Sequence, residues 1–443
     1  MGLALASVAA TAADHRLKYR WEPGDYVVYE RRVWVVPLAS EDVHRQSVEQ
    51  VLLWCFENKG GETLVLVDVL RASEGQPESV GSAVLHLHES GRRRMAPEVA
   101  ARLDAVEPAL DVLPVLPLPV QGETSWVSPP DAYQQRWRCW GRGPDSGQEG
   151  QWRVDFEVED LSGVAEFLRR PRAGRFWFDT AAGRVTRLEA EERDEGRQER
   201  TRVAAILRQA GRQSAEWAAR RADETERYLR TLRHEDRLLA ELFARPDDLA
   251  GIQAQLDRLW STLKSDVDQR AGSPFARIAD GRRQQLRAAA ERLAARAALG
   301  RRWLNRPARA WSLQDPAGHT LTSEAARPGV VIECFWSSDT IWGLRALESL
   351  RHVAGDPGRS PPPVLCYNLD FDVQQARRAI GRCGRGLQHV LAGPLQDVEG
   401  LTELPVVRVV DARGVVRGIW VGWDPTYAAA QQLARGLLAA DSR

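Results

Sequence analysis

Hydrophobic spacing changes twice along this chain, and each change closes off whole classes of fold. From about Tyr19 to Gln209 apolar and polar residues alternate, as in "DYVVYERRVWVV" (25–36), "SVEQVLLWCFE" (47–57), "ETLVLVDVL" (62–70) and "SVGSAVLHLHE" (79–89). A period of two puts every second side chain on one face, which marks a strand with one buried side. Further strands are expected at 132–140, 151–159, 175–179 and 184–193, the last two joined by a turn at Thr180-Ala181-Ala182-Gly183. Roughly eight to ten mostly antiparallel strands imply a sandwich or a partly closed barrel.

The period then lengthens. Ser214 is placed to cap a helix carrying Trp217, Tyr228, Leu232, Leu239 and Phe243 at helical spacing, and Pro246 stops it. Asp247 or Asp248 caps a second helix, with Leu249, Ile252, Leu256, Leu259, Leu263 and Val267 as its stripe. Gly272 closes that one, and Ser273-Pro274 opens a third that runs through "LRAAAERLAARAAL" to Gly300. Such stripes suit an intermolecular coiled coil or a hairpin packed on its own chain. Pro246 and Gly272 cut the pattern into short pieces, which favours the hairpin.

The last third mixes both periods. "AWSLQDPAGHTL" (310–321) reads as two short strands about a Gly turn, and "GVVIECFW" (329–336) as a strand buried on both faces. An amphipathic helix (344–354), a second buried strand (363–370) and a second helix (373–384) follow. A hairpin turning at Ala412-Arg413-Gly414 and a closing helix (425–440) complete an α/β sandwich on a mixed sheet.

Residues 307–441 resemble the thioredoxin-like domain of the TlpA/ResA and AhpC/TSA families. The family's lead-in strand and turn are matched by Trp311, Leu313, Asp315 and Gly318, and its strand ending in Phe-Trp by Phe335 and Trp336. Its later Pro, Asp and Gly are matched by Pro405, Asp411 and Gly414; Trp342, Arg345 and Ala346 match the helix that carries the active site. The resemblance covers about a third of the chain. It implies that Pro405 is the cis-proline beside the active site, and that Trp336, Trp342, Leu404 and Pro405 line a groove for extended polypeptide. The fold class is then multidomain α+β: an antiparallel β-rich domain over 14–209, a helical hairpin or bundle over 210–303, and an α/β thioredoxin-like domain over 304–443.

The departure from the family decides the chemistry. Its two cysteine positions are occupied by Thr340 and Gly343. Thiol–disulfide exchange needs a thiolate and a resolving thiol, and neither residue supplies sulfur. Of the five cysteines, Cys334 and Cys366 lie in the buried strands, whereas Cys383, followed by Gly384, is the one expected to approach solvent. Cys55 and Cys139 fall in strands of the first zone, either paired or as two buried thiols. "SSD" at Ser337-Ser338-Asp339 has no positioned His and reads as polar loop and N-cap. His86 and His88 share a strand face, but two ligands do not make a metal site. No catalytic residue, metal or cofactor is assigned. Two classes of function remain: a redox-inactive domain that binds a partner or braces the molecule, and a divergent thiol–disulfide oxidoreductase using a cysteine outside the usual motif.

Composition bounds the partners. Lys and Arg number 61 against 61 Asp and Glu, which argues against a dedicated nucleic-acid surface. No stretch reaches the roughly 18 apolar residues of a membrane span. The first residues, "MGLALASVAATAADHR", hold an apolar run ending in the A-x-A pattern Ala10-Thr11-Ala12, without a preceding basic residue. This reads either as a shortened export signal over 1–13 or as an Ala-rich tail, and the cleavage pattern favours the signal. A periplasmic or otherwise extracytoplasmic location is therefore expected, with an extended polypeptide or another exported protein as partner. "LPLPVQGETSW" (116–126) also looks similar to a stretch of β-rich domains in exported bacterial proteins.

Overall fold

The structure is a computed structural model. It describes residues 17–40, 42–73, 76–95, 99, 106–114, 116, 125–128, 135–144, 150–160, 172–194, 198–268, 272–354, 361–393, 395–424 and 426–441. The apolar run at 1–13 and most of the 116–126 stretch lie outside these.

The alternating zone forms β1 (Asp25–Pro37), β2 (Arg45–Lys59), β3 (Glu62–Ser73), β4 (Gln76–His88), β5 (Arg93–Met95), β6 (Ser125–Val127), β7 (Gln135–Pro144), β8 (Gln151–Asp160), β9 (Arg172–Asp179), β10 (Arg184–Asp194) and β11 (Glu199–Arg212). All belong to one antiparallel sheet ordered β5-β4-β3-β2-β1-β11-β10-β9-β8-β7-β6. The first and last strands meet at its centre, where Tyr29 opposes Leu207 and Val33 opposes Val203. Two meanders run outward from that pair. The expected sandwich is corrected by the way the inner face is covered. Val27, Leu53, Val67, Phe156, Phe176 and Leu188 share a core with Ala109, Leu110, Val112 and Leu113, from a short helical turn at Glu107–Val112. The Tyr19 hydroxyl donates to the Pro114 carbonyl at 3.0 Å, tying this turn to the sheet. The segment between the meanders thus covers the face that a second sheet would cover in a sandwich.

The helical zone forms α1 (Ala215–Ala244), α2 (Leu249–Asp268), α3 (Pro274–Ala288) and α4 (Ala290–Trp303). The Ser214 hydroxyl accepts from the Trp217 N–H at 3.1 Å, and Ser273 caps α3 ahead of Pro274. These helices pack on the outer face of the sheet through Trp54 against Trp217 and Phe56 against Phe275, and Arg277 donates twice to the buried Asp68 carboxylate. The expected single third helix is broken at Ala289, whose backbone (φ −88°, ψ 12°) leaves the helical range. No Pro or Gly marks the break. It lets α4 run against α1, where a Cβ on Gly300 would sit 2.7 Å from the Phe243 Cα.

The third zone forms β12 (Ser312–Gln314), β13 (Thr320–Thr322), α5 (Ser323–Ala326), β14 (Val331–Trp336), α6 (Ile341–Ala354), β15 (Val364–Asn368), α7 (Val373–Cys383), β16 (Gln388–Leu391), α8 (Leu395–Glu399), β17 (Val406–Val410), β18 (Val416–Val421) and α9 (Ala428–Asp441). The sheet order is β13-β12-β16-β15-β14-β17-β18, with β14, β15 and β16 parallel and β17 antiparallel to β14. One face, with Ile332, Cys334, Trp336 and Cys366, shares a core with Leu344 and Leu347 of α6 and Ala430 and Ala434 of α9. The other, with Val331, Phe335 and Tyr367, shares a core with Phe243, Leu299 and Trp303 of the helical zone. On that second face Glu333 is fully buried. It accepts from Arg408 Nε and Arg327 Nε at 2.6 Å each, and from the Tyr367 hydroxyl.

Arg408→Met leaves this carboxylate short of a cation and is expected to cost about 3–5 kcal/mol in chemical denaturation; the double change Glu333→Leu, Arg408→Met should cost less.

Candidate functional site

The stretch "FWSSDTIWGLRAL" spans the end of β14, a four-residue turn and the first turns of α6. The turn is tied to the end of β15 by one carboxylate. Asp370 Oδ1 accepts from the Ser337 hydroxyl at 2.6 Å and from the Ser338 N–H at 2.9 Å, while Asn368 donates to Oδ2. Gln375 donates to Ser338 Oγ and to Asp339 Oδ1. Both serines and both acids are therefore occupied in shaping the turn. The N-cap lies one residue beyond the expected Ser-Ser-Asp, because it is Thr340 Oγ1 that accepts from the Gly343 N–H, at 3.0 Å.

Thr340 and Gly343 thus cooperate. A Cβ on Gly343 would lie 2.4 Å from the Ser337 carbonyl oxygen and 3.1 Å from Thr340 Oγ1. The first position caps the helix and the second lets the turn close over it. Sulfur at Gly343 is excluded by backbone contact as well as by residue type.

The four groove positions do not share one surface. Trp342 is half-buried at the start of α6, its ring 5.4 Å from that of Trp423, and the Arg345 guanidinium lies over both. Leu404 stands beside them, and the Leu404–Pro405 peptide is cis. Pro405 itself is buried, its carbonyl accepting from the Gly422 N–H. Trp336 is corrected outright. It is wholly buried on the α6 face of the sheet, edge-on to His389, because a strand covered on both faces leaves none of its side chains for a groove. Burial holds the His389 imidazole down to about 4, so it is neutral near pH 7.

Trp342, Leu404 and Trp423 form one wall of a cleft of about 540 Å³. Tyr228, Trp260, Arg282 and Arg296 from the helices and Val80–Ser82 of β4 form the other. Two of its arginines are paired: Arg296 with Glu403 at 2.6 Å, and Arg282 with the buried Glu235, which also accepts from Trp260 Nε1. Trp423 and the helical wall were not foreseen, since their approach depends on how the zones dock.

The thiols offer little chemistry. No disulfide joins the five cysteines and all are buried, Cys383 included, contrary to its expected approach to solvent. It sits where the last turn of α7 closes over His389, which bonds the Gly384 carbonyl. Burial pushes the Cys55 and Cys139 thiols up to about 12, and burial with Cys334 alongside raises Cys366. His86 lies 3.9 Å from Glu62, and His88 bonds Ser90. Among the described residues no three His, Cys, Asp or Glu side chains converge as a metal site, and no helix is long and apolar enough to cross a membrane.

No family of known sequences and no curated protein matches the chain. Solved structures similar to it are thioredoxin-like thiol–disulfide oxidoreductases. The thioredoxin domain of a thiol-disulfide oxidoreductase from Bacteroides vulgatus is 15% identical, over 30% of this chain and 97% of that one, with a TM-score of 0.27. The exposed lipoprotein thioredoxin of Streptococcus pneumoniae is 18% identical over 29% and 100%, TM-score 0.26. StoA from Bacillus subtilis is 16% identical over 30% and 97%, TM-score 0.25.

Gly343→Ala should destabilise the protein by about 1–3 kcal/mol through overpacking, and Thr340→Ala by about 1 kcal/mol through the lost cap. Thermal melts of the two variants check the pair.

Proposed function

We propose that the C-terminal unit is a redox-inactive thioredoxin-like module of an exported protein, and that it binds extended polypeptide in the cleft beside Trp342. The observation that carries this reading is the contrast between turn and cleft. The positions that would hold sulfur have become a helix cap and a backbone contact, yet the adjoining aromatic wall of Trp342 and Trp423 still borders open volume. Adjoining, mutually tilted indoles with a cation over them suit apolar side chains of a bound chain. The Arg296–Glu403 pair and the Arg282 side chain offer polar groups to its backbone. A divergent oxidoreductase would need an accessible thiolate, and burial of all five thiols opposes it.

The test is a binding titration with a carboxymethylated, permanently unfolded polypeptide. Trp342→Ala should weaken binding by about 2 kcal/mol or more, as for an interface hot spot, with the melting temperature nearly unchanged. A loss of about 3–5 kcal/mol in stability would instead make Trp342 a brace between units. Disulfide reduction of a model protein that disappears on replacing any one cysteine would establish the oxidoreductase in its place.

A further inference from the structure

The flank of α1 turned away from the cleft carries a second groove, of about 640 Å³, formed with α2. Arg227, Arg230 and His234 line it from α1, and Arg258 from α2, over a floor that includes Leu238, Leu259 and Leu263. Several other arginines of this helical zone are matched with carboxylates: Arg245 with Glu241, Arg277 with Asp68, Arg282 with Glu235, and Arg283 with Asp257. Among the described residues Arg227, Arg230 and Arg258 have no carboxylate partner; Arg230 reaches only the Glu226 carbonyl of its own helix. Asp266 is the single acid in the lining, so three guanidiniums face one carboxylate. In a chain whose formal charges balance, this is a local excess of positive charge over an apolar floor.

We infer that this groove docks an acidic, partly apolar segment of polypeptide. Spacing favours a segment over a single oxyanion. Arg227 and His234 stand seven positions apart on one helix, which separates them by about 10 Å along its axis. An extended segment covers that distance in about three residues, so it can set more than one carboxylate against the row and apolar side chains against the leucine floor. One phosphate group would reach only part of the row. Gln255 and Thr262, also in the lining, offer hydrogen-bonding side chains to the segment's backbone.

The experiment measures fluorescence anisotropy of a labelled peptide alternating glutamate and leucine, titrated with the full chain. Binding should weaken with added salt, and the double variant Arg227→Glu, Arg258→Glu should lose at least about tenfold in affinity at an unchanged melting temperature. Should that variant fail to fold, Arg258→Gln alone is the second probe, with a smaller loss expected. Equal affinity in parent and variant overturns the inference, as does equal binding of a glutamine–leucine peptide. Binding of a single-stranded oligonucleotide or of phosphatidylserine vesicles in preference to the acidic peptide, lost in the same variant, overturns it in favour of another polyanion.

Discussion

A carboxylate without access to water, Glu333, organises the meeting of the helical and C-terminal units. Burial by itself would raise its pKa, but Arg408 and Arg327 outweigh that and hold it below the ordinary range. The stabilisation this represents is present at neutral pH and is lost as the pH falls through the depressed folded-state value. Arg408 is held in turn between two rings, 4.2 Å from the centre of Trp303 and 4.8 Å from that of Phe335. The indole N–H of Trp303 donates to Glu399 at 2.7 Å. One cation therefore neutralises the sheet's buried charge and seats the last turn of α4 upon it. Such cation–π contacts gain strength when water is excluded.

The cleft is a consequence of that seating. With α4 fixed by Trp303 and the outer face of the large sheet fixed by the Asp68–Arg277 pair, the helices stand across from Trp342 without closing on it. Neither wall belongs to one element. The aromatic wall comes from α6 and the end of β18, and the opposing wall from α1, α2, α3, α4 and β4. Ion pairs line the gap between them, and their solvation opposes further collapse.

Local pattern revealed most elements and few of their long-range pairings. Alternation marked β1 to β4 and β7 to β10, and the Ser214 and Ser273 caps marked helix starts. The central position of β11 was not legible, because Leu207 meets Tyr29 across nearly the whole zone and no local signal encodes that. The break at Ala289 has no breaker residue and arises from packing of α4 on α1. At the site, the absence of sulfur at Thr340 and Gly343 was plain from residue type, whereas their joint role in capping the helix needed coordinates. Trp336 was misread although its own strand held the answer: a run apolar at every position buries both faces, and Trp336 shares its face with Cys334.

The tight fit at Gly343 also bears on which side chains the turn accepts. A single codon change there would put a side chain against the Ser337 carbonyl oxygen, and a change at Thr340 alone would leave a lone thiol where the helix had its cap. Neither step alone supplies a pair of cysteines, and the first carries its own steric cost. A turn settled into this shape is held by its own packing, so a thiol pair there would need two changes made together and relief of the backbone contact.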